Sequence, residues 1–138
     1  MTKPLPTLAD FEGDWSIDRQ IDDHLAGQLG RFRGTARFLT VPSGLAYHET
    51  GLLTLGNAAP LTATRDYLWR WRAGRICVDY ANGRPFHDFD PAAPGAHHHC
   101  PPDDYSVAYD FSNWPEWRSH WRVTGPHKDY TMVSRYKR

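Results

Sequence analysis

Between Arg75 and Asp90 the chain reads Arg-Ile-Cys-Val-Asp-Tyr-Ala-Asn-Gly-Arg-Pro-Phe-His-Asp-Phe-Asp, two extended runs rich in β-branched and aromatic residues on either side of Asn82-Gly83. An Asn-Gly pair supplies the two positive φ angles of a type I′ turn, whose twist matches that of the strands it joins, so this stretch predicts an antiparallel hairpin. The constraint is strong because it sets both the type of element and the sense of pairing, and the rest of the chain repeats the pattern.

Alternation at period two marks one strand after another. From Phe11 to Ile21, Trp15, Ile17, Arg19 and Ile21 share a face. Arg31 to Val41 sets Phe32, Gly34, Ala36 and Phe38 against an arginine-rich face, with small residues where a neighbouring backbone can come close. Leu45 to Leu53 groups Tyr47, Glu49 and Gly51. Leu61 to Trp71 groups Arg65, Tyr67, Trp69 and Trp71. After the hairpin, Asp90 to Pro102 carries four prolines and a glycine and is expected to be a long turn-rich connection holding His97-His98-His99-Cys100. Three more alternating runs close the chain, with Tyr105, Val107 and Tyr109, then Trp117, Ser119, Trp121 and Val123, then Tyr130, Met132, Ser134 and Tyr136 on their respective faces. Residues 1–9 read as a loose arm and residues 22–30 as a loop. No segment shows a convincing helical period.

About nine strands in meander order, with turns every 8–12 residues, define an all-β fold. The expected architecture is a single domain, an antiparallel up-and-down β-barrel of 8–10 strands that removes exposed edges and has room inside for side chains or one small ligand. In a nine-strand meander the His97–Cys100 loop, the Gly125-Pro126-His127 turn and Trp15 fall at one end of that barrel.

Sixteen basic residues balance sixteen acidic ones, so bulk charge favours neither nucleic acid nor an anionic membrane. No apolar run approaches the roughly 20 residues that span a bilayer, and the first residues lack an apolar signal core, which makes a soluble cytoplasmic protein the expectation. Two cysteines, Cys77 and Cys100, do not form a disulfide framework.

Two sets of residues carry a resemblance. Gly13-Asp14-Trp15, with Arg135 or Lys137 near the other terminus, resembles the lipocalin and wider calycin pattern, in which an early Trp packs under a C-terminal basic side chain at the closed end. Tyr47-His48-Glu49-Thr50-Gly51, Arg65-Asp66-Tyr67-Leu68-Trp69, Arg84-Pro85-Phe86-His87, the segment from His99 to Tyr105, and Gly125 to Tyr130 resemble a family of small bacterial and fungal proteins of unknown function. The resemblance implies a calycin-like barrel and brings no activity with it.

The chemistry must therefore come from the residues. Arg19, Glu49 and Arg65 interrupt otherwise apolar faces, and a dry core tolerates such charges only when each finds a partner. With Tyr67, Trp69, Tyr105, Lys128 and Tyr130 they define a candidate site in which arginines fork onto an anion and aromatic rings stack on a flat ligand. The first functional expectation is thus a carrier for a small flat anion. The second is a cofactor-independent lyase, decarboxylase or isomerase on a small aromatic or enolisable acid, with Glu49 or His87 moving the proton and burial raising the carboxyl pKa. The third is a structural barrel that docks a protein partner. No cofactor is expected. The available alternatives are a metal at His99, Cys100 and Asp104, where His97 and His99 can converge while His98 cannot, and haem held by a His. Cys100 beside His99 is also a candidate nucleophile.

Overall fold

The computed structural model describes residues 4–138, and within them ten strands form one antiparallel sheet. They are β1 (Gly13–Asp23), β2 (Gln28–Val41), β3 (Gly44–Leu55), β4 (Leu61–Arg72), β5 (Arg75–Tyr80), β6 (Pro85–Phe89), β7 (Gly95–Cys100), β8 (Asp103–Asp110), β9 (Trp117–Gly125) and β10 (Lys128–Lys137). Every strand pairs with its sequence neighbour except β6 with β7, and β1 pairs with β10, so the sheet curls into a nearly closed up-and-down barrel with one seam. None of the described helices is long and apolar enough to cross a membrane.

The tenth strand corrects the expected Asp90–Pro102 connection. Only residues 90–94 turn, held by Ala93 N–H on the Asp90 carbonyl, while Gly95–Cys100 pairs with β8 from Gly95↔Ala108 to Cys100↔Asp103. The histidine run is therefore extended sheet, and the extra strand moves the turns that follow to the other end of the barrel. Trp15 lies at one end, the Gly125-Pro126-His127 turn at the other. The expected loop at 22–30 shrinks likewise to residues 24–27, because Asp23 Oδ1 accepts the N–H groups of Leu25 and Ala26 and lets β1 run straight into β2.

Turn chemistry also differs from the reading of Asn82-Gly83. The hairpin forms, with Val78 opposite His87, but of those two residues only Gly83 has positive φ, +87°. Gly83 N–H bonds the Tyr80 carbonyl and Tyr80 N–H bonds the Arg84 carbonyl, which gives a longer loop built on a β-turn. The tight two-residue turn with both φ positive sits instead at Ala73 (+51°) and Gly74 (+79°), between the paired Arg72 and Arg75.

One end of the barrel is plugged. Residues Leu8–Phe11 form a 3₁₀ turn that takes in the last two residues of the expected loose arm, 8 and 9, and Phe11, expected to open the first strand, which begins instead at Gly13; residues 1–3 of the arm lie outside the described residues. Phe11 is fully buried and packs against Trp69, Trp114 and Trp117 with ring centroids 4.9–5.4 Å apart, while its carbonyl accepts the Trp15 indole N–H at 2.8 Å. The basic side chain over Trp15 is Arg138, 4.0 Å from the ring centroid, rather than the expected Arg135 or Lys137. Arg138 lies just beyond β10 and is free to fold over the barrel end, where it also bonds the carbonyls of Glu12 and Asp10. Arg135 instead points outward to Glu116.

Candidate functional site

Inward alternation delivers the expected side chains to one interior cavity of about 260 Å³. It reaches from a floor of Trp69, Trp117 and Tyr136 to a mouth at Arg65, Tyr80, Tyr105, Lys128 and Tyr130, at the end opposite the plug. Arg19, Glu49, Arg65, Tyr67, Trp69, His87, Tyr105, Lys128 and Tyr130 all line it. These nine residues come from six strands, β1, β3, β4, β6, β8 and β10.

Arg19 and Glu49 form the polar side of the interior. Arg19 Nη1 and Nη2 donate to the two Glu49 carboxylate oxygens at 2.7 and 3.0 Å, and Arg19 Nε donates to Ser134 Oγ at 2.7 Å. Tyr47 donates to Glu49 Oε1 at 2.6 Å and its hydroxyl lies 3.2 Å from that of Tyr136. The guanidinium also stands over the Phe32 ring. A forked, charge-assisted pair of this geometry, with its remaining hydrogen-bonding capacity met, is the arrangement that makes burial of two charges tolerable.

This network corrects the expectation of a raised Glu49 pKa. Burial does push the carboxyl up, but the hydrogen bonds and charge of Arg19, the Tyr47 hydroxyl and the charge of Arg65 outweigh it, so Glu49 is held below its ordinary value. It is a fixed anion already committed to donors. His87 is commited elsewhere: its Nε2 lies 2.8 Å from the Tyr109 hydroxyl, and burial, with a smaller contribution from His98, lowers its pKa to about 3. It is neutral at physiological pH, and its Nδ1 has no partner.

The mouth has a different electrostatic character. Lys128 Nζ donates to the Tyr105 hydroxyl at 3.0 Å and pairs with Asp103 at 3.1 Å, which raises its pKa. Arg65, directly opposite Glu49 in the β3–β4 register, makes no ion pair among the described residues, because Glu49 has already turned both oxygens to Arg19. Of the charged groups lining the cavity, Arg19 is balanced by Glu49 and Lys128 by Asp103. Among the described residues, Arg65 is the one cation of that lining left over.

Aromatic rings fill the wall between these poles. Phe86 stacks on Tyr80 at 4.7 Å and on Trp121 at 5.2 Å, with interplanar angles of 19° and 10°. Phe86 and His87 are adjacent in sequence yet both buried, because the register shifts at Val78/Asp79 and one extra residue is turned inward. Strict alternation could not place both; the only local hint was Pro85, which has no N–H to give to a ladder. Ser134, Tyr136 and Trp121 lie on faces the alternation did identify, but their roles as partner and wall were not visible in it.

The weaker candidates gather elsewhere. His97 and His99 do converge on the outer surface of β7, where His99 Nδ1 lies 2.6 Å and His97 Nε2 3.3 Å from the same Asp104 oxygen. Cys100 is exposed at the strand end. Among the described residues no group of three or more His, Cys, Asp or Glu side chains is arranged to hold a metal ion. His98 alone of the run turns in, 5.4 Å from Phe86.

Fold and cavity together define a calycin-like barrel with a lined interior that opens at one end. The chain belongs to a family of unknown function, DUF6314, whose model matches residues 11–138. Among solved structures it is similar to an S-type phycobiliprotein lyase from Guillardia theta, at 9% identity and a TM-score of 0.61, covering 94% of this chain and 87% of that one. That likeness shows the shared barrel. No curated protein matches the chain in sequence.

Proposed function

We propose that this barrel binds a small, flat, singly charged anion in its interior, with the anionic group at Arg65 and the ring between the aromatic walls. The observation that carries the reading is the unmatched Arg65 guanidinium at the mouth of an otherwise charge-balanced, aromatic cavity. Arginine presents a planar fork of donors that fits a carboxylate. The resemblance to a phycobiliprotein lyase, a protein built on the same kind of barrel, is compatible with an interior used for a small molecule.

Binding is preferred to proton-transfer catalysis because both expected proton carriers are occupied. Glu49 is held charged by Arg19 and Tyr47, and His87 is held neutral against Tyr109. Titrating the protein with 2-naphthoate and with the neutral 2-naphthamide, followed by tryptophan fluorescence, tests the reading. The acid should bind at least tenfold more tightly than the amide, and Arg65→Gln should remove that difference. Equal affinity of the intact protein for acid and amide would overturn the assignment of Arg65.

A further inference from the structure

The interior cavity is not the only hollow that Phe86 touches. Outside the barrel, along the unpaired seam between β6 and β7, runs a second groove of about 670 Å³ bordered by Arg70, Arg75, Cys77, Gly95 and His97. Phe86 and His87 line both spaces. At this point the wall of the barrel consists of side chains, because no β6–β7 ladder closes it.

We infer that Phe86 is the specificity-determining residue that limits the ligand to one or two aromatic rings, by closing the cavity at the seam. The inference rests on the binding reading above. A cavity of about 150 Å³ accommodates a benzene ring, so one of about 260 Å³ takes a ring with a short acid chain or a fused pair of rings. A four-ring aromatic, and by the same limit a haem, exceeds it unless the wall gives way.

The wall is placed at Phe86 by three observations. The bulge opposite Val78/Asp79 turns its side chain inward beside His87 rather than out to solvent. Its ring lies in a near-parallel stack with Tyr80, Trp121 and Tyr67, the last at 5.9 Å and 21°, so it fills a ring-shaped slot that a larger ligand would need. Its outer edge meets His98 of β7 across the seam, with no backbone between them to hold the cavity shut. Truncation at this one position joins cavity and groove, while the charged anchor at Arg65 stays in place on β4.

The test compares 2-naphthoate with pyrene-1-carboxylate, two monoanions that differ in ring count, on the intact protein and on Phe86→Ala. The intact protein should bind 2-naphthoate and bind pyrene-1-carboxylate at least tenfold more weakly. Phe86→Ala should gain at least tenfold for the pyrene acid and so shrink or abolish that preference, and Phe86→Leu, which keeps an apolar side chain in the stack, should fall between them; circular dichroism and thermal melting confirm that each variant is folded. If the intact protein binds both acids equally, or Phe86→Leu and Phe86→Ala leave the preference unchanged, the size limit lies elsewhere and the anion reading survives. If the intact protein binds neither acid, the anion reading fails and this inference with it.

Discussion

Arg19, Glu49 and His87 are the residues whose environment makes the sharpest demands. Removing one member of a hydrogen-bonded buried ion pair strands the other, so Glu49→Leu and Arg19→Met should each cost about 3–5 kcal/mol in denaturant unfolding, whereas the double variant carrying both changes should cost clearly less than the two single changes added together. Additive losses would show that the pair is not coupled. The pH dependence follows from both groups. Glu49 has its folded pKa below the unfolded one, so its contribution is complete above the ordinary carboxylate range and disappears as pH falls through the folded value. His87, at about 3 in the fold against 6.5 as the free side chain, leaves the unfolded chain holding more protons between those values, so stability falls on acidification by up to ~1.4 kcal/mol per pH unit. His87→Phe should flatten the unfolding free energy between pH 6.5 and 4.5; an unchanged slope would mean that His87 is protonated in the folded protein. Alternation in the sequence disclosed Arg19 and Glu49 as inward residues, but not that they face each other, since their contact depends on a register spanning three strands. The direction of the Glu49 shift was misread for that reason.

Strands β2 and β3 show what an element can require of a single position. Gly34 and Gly51 are directly paired, and a Cβ on Gly34 would run into the Thr50 carbonyl oxygen and the Gly51 backbone, which cannot swing aside as a side chain can. Gly34→Ala should therefore destabilise by about 2–3 kcal/mol, measured by thermal or urea unfolding, while Ala73→Gly, at a positive-φ position, should be neutral or stabilising by up to about 1 kcal/mol. A stable Gly34→Ala protein would contradict the close approach. That approach was legible in the run Phe32-Arg33-Gly34-Thr35-Ala36 as a gap between large inward residues. Other element-level features were hidden. Pro91 and Pro94 made the segment before the histidines look like continuous loop, yet a turn of five residues suffices, and the histidines themselves alternate in and out as a strand should. The inward bulge at Phe86 depends on a register shift against β5, which no pattern within β6 discloses.

The whole molecule is a barrel with one sealed end, one open end and one unzipped seam. Backbone groups along the facing edges of β6 and β7 lack the ladder that protects every other junction, so their amides should exchange with deuterium faster than those of β1 and β10, which join the termini of the chain through a continuous register from Ser16↔Lys137 to Asp23↔Tyr130. Ligand in the cavity should slow exchange around Phe86, since it packs against the wall that stands in for the missing ladder; no change on binding would place the ligand away from the seam. The overall architecture was readable because a meander needs only local turns and alternation, while the position of each turn at one end or the other depended on counting strands correctly, and a single omitted strand inverted it. The central claim concerns what fills the interior, and the most direct measurement is a crystal structure of the protein with 6-bromo-2-naphthoate, in which anomalous scattering locates the bromine. The carboxylate should lie on the Arg65 guanidinium and the bromine deeper in the barrel, toward Trp69 and Trp117; a bromine outside the barrel, or a carboxylate away from Arg65, would contradict the account.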